Sequence, residues 1–264
     1  MGLLDGKVAL IAGAGPGLGA DAAHAFAREG ARVALSARNM DRLEALRAEI
    51  EGQGGEALAL RCDVTDAEER QALVAQVVEH FGALDTVVHN GFVAHEARPT
   101  HEIDLDAWRS TYEVNVFGAL ELTQLCVPHL VASVQKRGDA SIVFVLTMAM
   151  RKVRPNEGGY ASSKGALLTA MRTLALEIAP SRVRVNAVAP GWIGGPSVDG
   201  WIQWEADRRG CEPSEVRAEI AADIPLGDIP SGPSIADPIV FLASGMARSM
   251  TGQTLDVNGG EWSS

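Results

Sequence analysis

Short runs of apolar residues alternate along this chain with longer stretches whose apolar positions recur every three or four residues. The runs are KVALIAG (7–13), ARVALSA (31–37), EALALRC (56–62), LDTVVHN (84–90), SIVFVLT (141–147), RVRVNAV (182–188) and QTLDVNG (253–259). Most are apolar nearly throughout, as expected of strands buried on both faces of a parallel sheet. The stretches between them carry helical spacing. Residues 17–29 place Ala22, Ala23, Phe26 and Ala27 on one face, and residues 40–51 do the same with Met40, Leu43, Leu46 and Ile50. Over 66–81, Thr65 is the expected N-cap, with Glu68 three residues on closing a capping box. This rhythm predicts βαβ units with right-handed crossovers, an α/β doubly wound fold with a seven-stranded parallel sheet.

One segment departs from the rhythm. From Trp192 to about Pro233 there is no clear strand, and Pro196, Pro213, Pro225, Pro230 and Pro233 punctuate it. It holds Trp192, Trp201 and Trp204, three of the five tryptophans. An insertion of that length predicts a cap or lid over a site.

Composition narrows the class. With 264 residues, 47% of them hydrophobic, the chain is long enough to bury a sizeable core, and no linker or low-complexity tail divides it. One domain over 1–264 is expected, with the lid at about 192–233. A net charge of −11 and a pI near 5.0 disfavour nucleic acid or an anionic membrane as the main partner. Asp5 and Lys7 interrupt the apolar amino end, so no signal peptide is expected, and the apolar run around 142–150 is too short to span a bilayer. Cys62, Cys126 and Cys211 are scattered and lack metal spacing, as expected of reduced thiols in a cytoplasmic protein. His24, His80, His95, His101 and His129 share no ligand spacing either, and no metal is expected.

Candidate chemistry begins after the first run. Gly13, Gly17 and Gly19 stand between a strand and a helix, where glycines permit a tight turn and let a diphosphate approach N–H groups at the positive helix terminus. Farther along, YASSK puts Tyr160 and Lys164 four apart, on one face of a helix. With two Tyr and four Lys in the chain, chance supplies only about 0.03 such pairs. A phenol with a reference pKa of about 10 is ionised more readily beside an ammonium, so Lys164 is expected to lower the Tyr160 pKa.

The spacing Gly13-x-x-x-Gly17-x-Gly19 resembles the TGxxxGxG fingerprint of the short-chain dehydrogenase/reductase family, with Ala12 in place of Thr. The resemblance continues through CDVTD (Asp63), HNGF (89–92, at the family's NNAG), Asn115 in EVNVFG, YASSK, Pro190-Gly191 and the terminal TGQTLDVNGG. It implies a Rossmann-type oxidoreductase domain that moves a hydride between a nicotinamide cofactor and a ketone or secondary alcohol. By that resemblance the cofactor would lie on Gly13, Gly17, Leu18, Gly19, Arg38, Asp63, Val64, Asn90, Gly91, Pro190, Gly191 and Ile193, with Tyr160 and Lys164. Tyr160 would be the general acid/base, Lys164 would tune it and bind the nicotinamide ribose, and Asn115 would hold a water relaying protons to Lys164. The family serine falls on Thr147, which still offers a hydroxyl.

The cofactor's identity turns on the end of the second strand. It reads Ser36-Ala37-Arg38-Asn39, with no acid until Asp41. A guanidinium suits a 2′-phosphate, so NADP(H) is expected over NAD(H). Three further positions depart from the family. Phe92 replaces a glycine and is read either as a ring at the substrate mouth or as core packing. His89 replaces an asparagine and is not expected to act as a base. Gly195 stands where a threonine would hold the carboxamide, a role open to the Ile193 N–H or to Ser197.

Phe92, Met148, Met150, Trp192, Trp201 and Trp204 predict an apolar pocket for a bulky substrate such as an alicyclic, aromatic or steroid-like ketone. Glu68-Glu69-Arg70 and Asp207-Arg208-Arg209 are expected merely to solvate helix faces. By resemblance the chain would form a dimer or tetramer through the helices after the fourth and fifth strands; Ala166, Leu167, Ala170 and Leu174 suit that packing or packing on the sheet equally. Two alternatives remain: a non-catalytic NADP-binding sensor or scaffold, and an acyl-carrier 3-oxoacyl reductase, whose acidic carrier this acidic surface would repel.

Overall fold

In the computed structural model, which describes residues 2–94 and 98–263, seven parallel strands form one sheet. They are β1 (Val8–Ala12), β2 (Arg32–Ala37), β3 (Glu56–Arg61), β4 (Thr86–His89), β5 (Ala140–Val145), β6 (Val183–Pro190) and β7 (Thr254–Val257). Their spatial order is β3-β2-β1-β4-β5-β6-β7, so the winding reverses between β1 and β4. Each of the seven predicted runs contains one strand, shifted by no more than a few residues at its ends. In register, Ile11 of β1 lies between Leu35 of β2 and Val88 of β4. All three are fully buried, which accounts for the absence of period-two alternation in these runs.

Helices cover both faces. On one lie α1 (Leu18–Arg28), α2 (Met40–Gly52) and, much later in the chain, α9 (Gly232–Ala243), which bury Ala22, Phe26, Leu43, Ile50 and Ile239 against Ile11, Val33 and Val143. On the other lie α3 (Ala67–Phe81), α5 (Ala119–Arg137) and α6 (Gly158–Ile178), whose Leu73, Leu122, Cys126 and Met171 meet Leu10, Val87 and Phe144. The short α4 (Leu105–Tyr112) runs into α5 through a π-helical stretch, Glu113–Gly118. That rod, Leu105–Arg137, is long and apolar enough to cross a membrane by length and composition; here Leu122, Cys126 and Leu130 are buried in the core.

The segment after β6, where no clear strand was expected, forms helices. Here α7 (Pro196–Arg209) and α8 (Pro213–Ala222) share a small apolar cluster of Ile202, Ala206, Val216, Ile220, Ile224 and Ile229. A single β-bridge, Gly194 to Ser231, ties the segment's ends together.

Two local expectations need correction. The N-cap of α3 is Asp66, whose carboxylate accepts from Glu69 N at 2.9 Å, while Thr65 turns back to Asp63 through its N–H and hydroxyl. An Asx cap one residue later leaves Thr65 free to brace the preceding loop. Nor is Glu68-Glu69-Arg70 only a solvated run. Glu69 accepts from Asp63 N at 2.6 Å, and the buried Arg70 donates to Val64 O at 2.7 Å while pairing with Glu121 of α5. Both side chains pin the loop after β3. The Asp207-Arg208-Arg209 cluster does lie on the surface, in pairs with Glu205 and Glu219.

Candidate active site

A cleft of about 1010 Å³ opens at the carboxyl ends of the strands, where the sheet's winding reverses. Its floor is the turn from β1 to α1. Gly13 (φ 94°) and Gly17 (φ 91°) occupy backbone conformations that L side chains rarely adopt. Space excludes a side chain at two positions: a Cβ on Gly13 would stand 2.2 Å from Gly91 N, and one on Gly19 would stand 2.1 Å from Gly13 O. The close approach is locked by Asn90, whose side-chain amide donates to Gly13 O at 2.7 Å. By contrast, Cβ atoms on Gly15 and Gly17 would meet nothing within 4 Å, so this backbone is open to the cleft. Gly17 caps α1 without a side-chain bond, and the first-turn N–H groups of Leu18 and Gly19 have no acceptor within the helix. The cradle fits a diphosphate.

Arg38, Asp63 and Val64 line one end of the same cleft. Arg38 is exposed at the end of β2 and makes no hydrogen bond among the described residues, though it is close enough to Asp63 to act on its charge. The Asp63 carboxyl is held below the usual range, first by the Thr65 N–H and then by the Thr65 hydroxyl and the two arginines Arg38 and Arg61. No carboxylate occupies the tip of β2, where Ala37 stands.

Tyr160 and Lys164 lie on the first turns of α6 and face β5. Thr147 lies close enough to the Tyr160 phenol to favour its ionised form, and its hydroxyl caps a 3-10 turn (Met148–Met150) by accepting from Ala149 N at 3.2 Å. Burial pushes the phenol up to about 12; the nearby Thr147 hydroxyl opposes that rise and the Glu157 carboxylate adds to it. The Lys164 ammonium, brought down to about 8 by burial, donates to Val145 O at 2.9 Å. Burial is the largest influence on the phenol in this arrangement. The i, i+4 spacing puts both side chains on one face, but the ammonium is turned to the strand carbonyl.

Asn115 is the expected site residue that does not line the cleft. It sits within the π-helical stretch, where it accepts from Val93 N (2.8 Å) and donates to Val93 O and to Ser163 Oγ (both 3.0 Å). Here it binds the loop after β4 to α6, and its hydrogen bonds among the described residues do not reach Lys164. The sequence gave no sign of the π stretch, nor of Gly118, where a Cβ would stand 2.7 Å from Val64 O.

The rest of the cleft is largely apolar. Phe92 is 56% exposed, with its ring 5.7 Å from that of Tyr160 and 5.9 Å from Lys164 Nζ, which places it at the mouth and not in the core. Trp192 and Trp201 are 5.1 Å apart between ring centroids, and Trp204, Met148, Pro190, Gly191, Ile193, Gly195 and Ser197 complete the wall. Met150 does not join Met148 there: it packs against the sheet core beneath α5 and α6. His89 is buried, stacked on Phe144 and bonded to Thr123 Oγ1 at 2.8 Å. Burial holds its imidazole down to about 3, so it stays neutral. His95 lies outside the described residues. Sequence reasoning missed Trp108, Arg154, Asn156 and Glu157, all of which line the cleft. Gly158 and Gly159 make room for the Trp108 ring, a signal visible only once the two segments are brought together.

Comparisons with known proteins agree with this geometry. The family profile described as Enoyl-(Acyl carrier protein) reductase matches residues 13–261. The cis-4-hydroxycyclohexanecarboxylate dehydrogenase of Sinomonas cyclohexanicum is 34% identical over 254 residues, covering 96% of both chains. The 7alpha-hydroxysteroid dehydrogenase of Escherichia coli K12 is 32% identical over 257 residues, covering 97% of this chain and 94% of its own. Among solved structures, L-sorbose reductase from Gluconobacter frateurii complexed with NADPH and L-sorbose superposes with a TM-score of 0.93 at 29% identity, covering 100% of this chain and 99% of its own. A glycine cradle at the winding reversal, a Tyr–Lys pair beside it and end-to-end similarity to these enzymes identify the chain as a member of the short-chain dehydrogenase/reductase family, NAD(P)-binding oxidoreductases that act on alcohols and ketones.

Proposed function

We propose that this protein is a carbonyl reductase that uses NADP(H) in preference to NAD(H) and acts on a bulky, largely apolar ketone, with the reverse oxidation also open to it. The observation that carries the reading is that Tyr160, Lys164 and Thr147 line the same cleft as the glycine cradle. When bound, the nicotinamide supplies or accepts the hydride. The protein does the rest. Tyr160, held as a neutral phenol, gives its proton to the carbonyl oxygen, while the Thr147 hydroxyl holds that oxygen in place. Lys164 supplies a buried cation beneath the site, and Asn115 fixes the Val93 loop and α6 on either side of it.

Cofactor preference rests on Arg38, whose guanidinium has no hydrogen-bonding partner among the described residues, and on Ala37 in place of an acid. The complex of L-sorbose reductase with NADPH is consistent with it. Substrate class rests on Phe92, Met148, Trp192, Trp201 and Trp204, and two relatives are named for alicyclic alcohols. In this reading α7 and α8 cap the cleft of a single domain. The chain self-associates through α5 and α6, where Leu176 of α6 and Phe117, in the π-helical stretch leading into α5, are exposed, and works in the cytoplasm.

A panel of ketones and aldehydes, assayed with NADPH and with NADH by loss of reduced-nicotinamide absorbance, tests the reading. Alicyclic ketones with NADPH should be reduced fastest. Faster turnover of small polar aldehydes would overturn the substrate class, and preference for NADH would overturn the cofactor. The matching profile's description, an acyl-carrier reductase, favours a second reading, reduction of the 3-oxo group of a carrier-bound acyl chain. A net charge of −11 opposes docking of an acidic carrier, and a 3-oxoacyl-carrier thioester in the same panel decides between the two.

A further inference from the structure

The apolar platform of the cleft carries beside it a cation that the reduction step does not use. Arg154 lines the cleft, and its side chain is 32% exposed. Its guanidinium lies 4.6 Å from the ring centroid of Trp192, which in turn packs on Trp201. One nitrogen, Nη2, bonds Glu261 Oε1 at 3.0 Å. Glu261 is only 1% exposed and does not depend on Arg154 alone, because Lys152 Nζ reaches the same oxygen at 3.1 Å. Two cations therefore converge on one buried carboxylate. Asp223 stands 3.9 Å from Lys152 and partly offsets that one. With Asp223 and Glu261 against Lys152 and Arg154 the cluster is balanced in charge, and Arg154 is its member on the cleft.

The cleft's own carboxylates are placed elsewhere. Asp63 is engaged by Thr65 and the neighbouring arginines, and Glu157 acts on Tyr160. A guanidinium that spends one nitrogen on Glu261 and stacks its face on an indole still presents donors along its free edge, in the planar fork that matches a carboxylate. The stack also fixes that edge in position, so little side-chain freedom is lost on binding.

Resting on the reading of a bulky, largely apolar ketone, we propose that the substrate carries a carboxylate remote from its carbonyl, and that Arg154 binds it. The substrate class is an oxo or hydroxy acid whose apolar ring lies against Trp192 and Trp201. Arg154 is then a specificity residue and takes no part in proton transfer.

Paired substrates test this: 4-oxocyclohexanecarboxylate and its methyl ester, with NADPH, in wild type, Arg154→Gln and Arg154→Lys. The wild-type protein should favour the acid over the ester by about tenfold or more in kcat/KM. Arg154→Gln should lower that acid-to-ester ratio by at least about tenfold, and Arg154→Lys should keep part of it. Equal use of acid and ester by the wild type, or an unchanged ratio in Arg154→Gln, would overturn the subsite and leave the reductase reading intact. If neither ketone is reduced, cyclohexanecarboxylate and its methyl ester are titrated in the presence of NADPH, with tryptophan fluorescence as the readout. Quenching by the acid alone, lost in Arg154→Gln, would uphold the subsite and overturn the alicyclic-ketone reading. No quenching by the acid would overturn the subsite too.

Discussion

Acidification should destabilise this protein through one imidazole. His89 is 4% exposed, stacks on Phe144 at 4.7 Å and bonds Thr123 Oγ1, and its pKa falls to about 3 because burial penalises the cation. In the unfolded chain it returns to 6.5. Between those values the unfolded state binds a proton that the folded state refuses, so stability falls as pH falls through 6.5 toward 3. At pH 5 the unfolded histidine is about 1.5 units below its pKa, which at 1.36 kcal/mol per unit costs about 2 kcal/mol relative to pH 7. The figure is insensitive to the folded pKa as long as that stays below about 4. Urea unfolding of wild type and His89→Gln at both pH values, at one protein concentration, isolates the effect, since the other titrating groups cancel in the difference. Wild type should lose about 2 kcal/mol more than the variant between pH 7 and pH 5. Equal losses would refute the claim that His89 is held neutral in the fold.

Other consequences follow from individual contacts. Arg38→Leu should weaken NADPH binding by about tenfold or more and leave NADH binding within about twofold, as read by fluorescence titration, because only the 2′-phosphate distinguishes the two. Gly19→Ala drives a Cβ to 2.1 Å from Gly13 O and should lower thermal stability by about 1–3 kcal/mol and impair binding of either cofactor. Gly15→Ala, which meets nothing within 4 Å, should leave the melting temperature unchanged. Thr147→Ala should reduce kcat about a hundredfold, with Thr147→Ser retaining most of it. A loss of only a few-fold on Thr147→Ala would remove Thr147 from the proposed proton-transfer pair.

Much of the architecture could be read from the chain because both faces of the sheet are covered. Runs such as SIVFVLT have no polar side to misassign, and each of the seven marks a strand. The glycine turn was legible for a related reason: Gly13 and Gly19 are required by backbone contacts that spacing alone exposes. What escaped notice depends on segments distant in sequence. Asn115 was visible, but its bonds to Val93 and Ser163 require the π-helical stretch, which no periodicity announced. Arg154 carried no signal in the sequence, because Glu261, which lies beside it, comes more than a hundred residues later. Arg70 was misjudged for the same reason, since a charge run says nothing about a carbonyl waiting at Val64. The Tyr160–Lys164 pair shows the limit of spacing. It placed both groups on one face of α6 without revealing that Val145 O would take the ammonium.

The most direct test of the account is Tyr160→Phe, assayed for NADPH affinity and for reduction of an alicyclic ketone. The substitution removes the proton donor and keeps the ring that packs near Phe92. If Tyr160 is the general acid, NADPH affinity should stay within about threefold while kcat falls by at least about a hundredfold. Turnover close to wild type in this variant would contradict the central claim that the Tyr160 phenol supplies the proton.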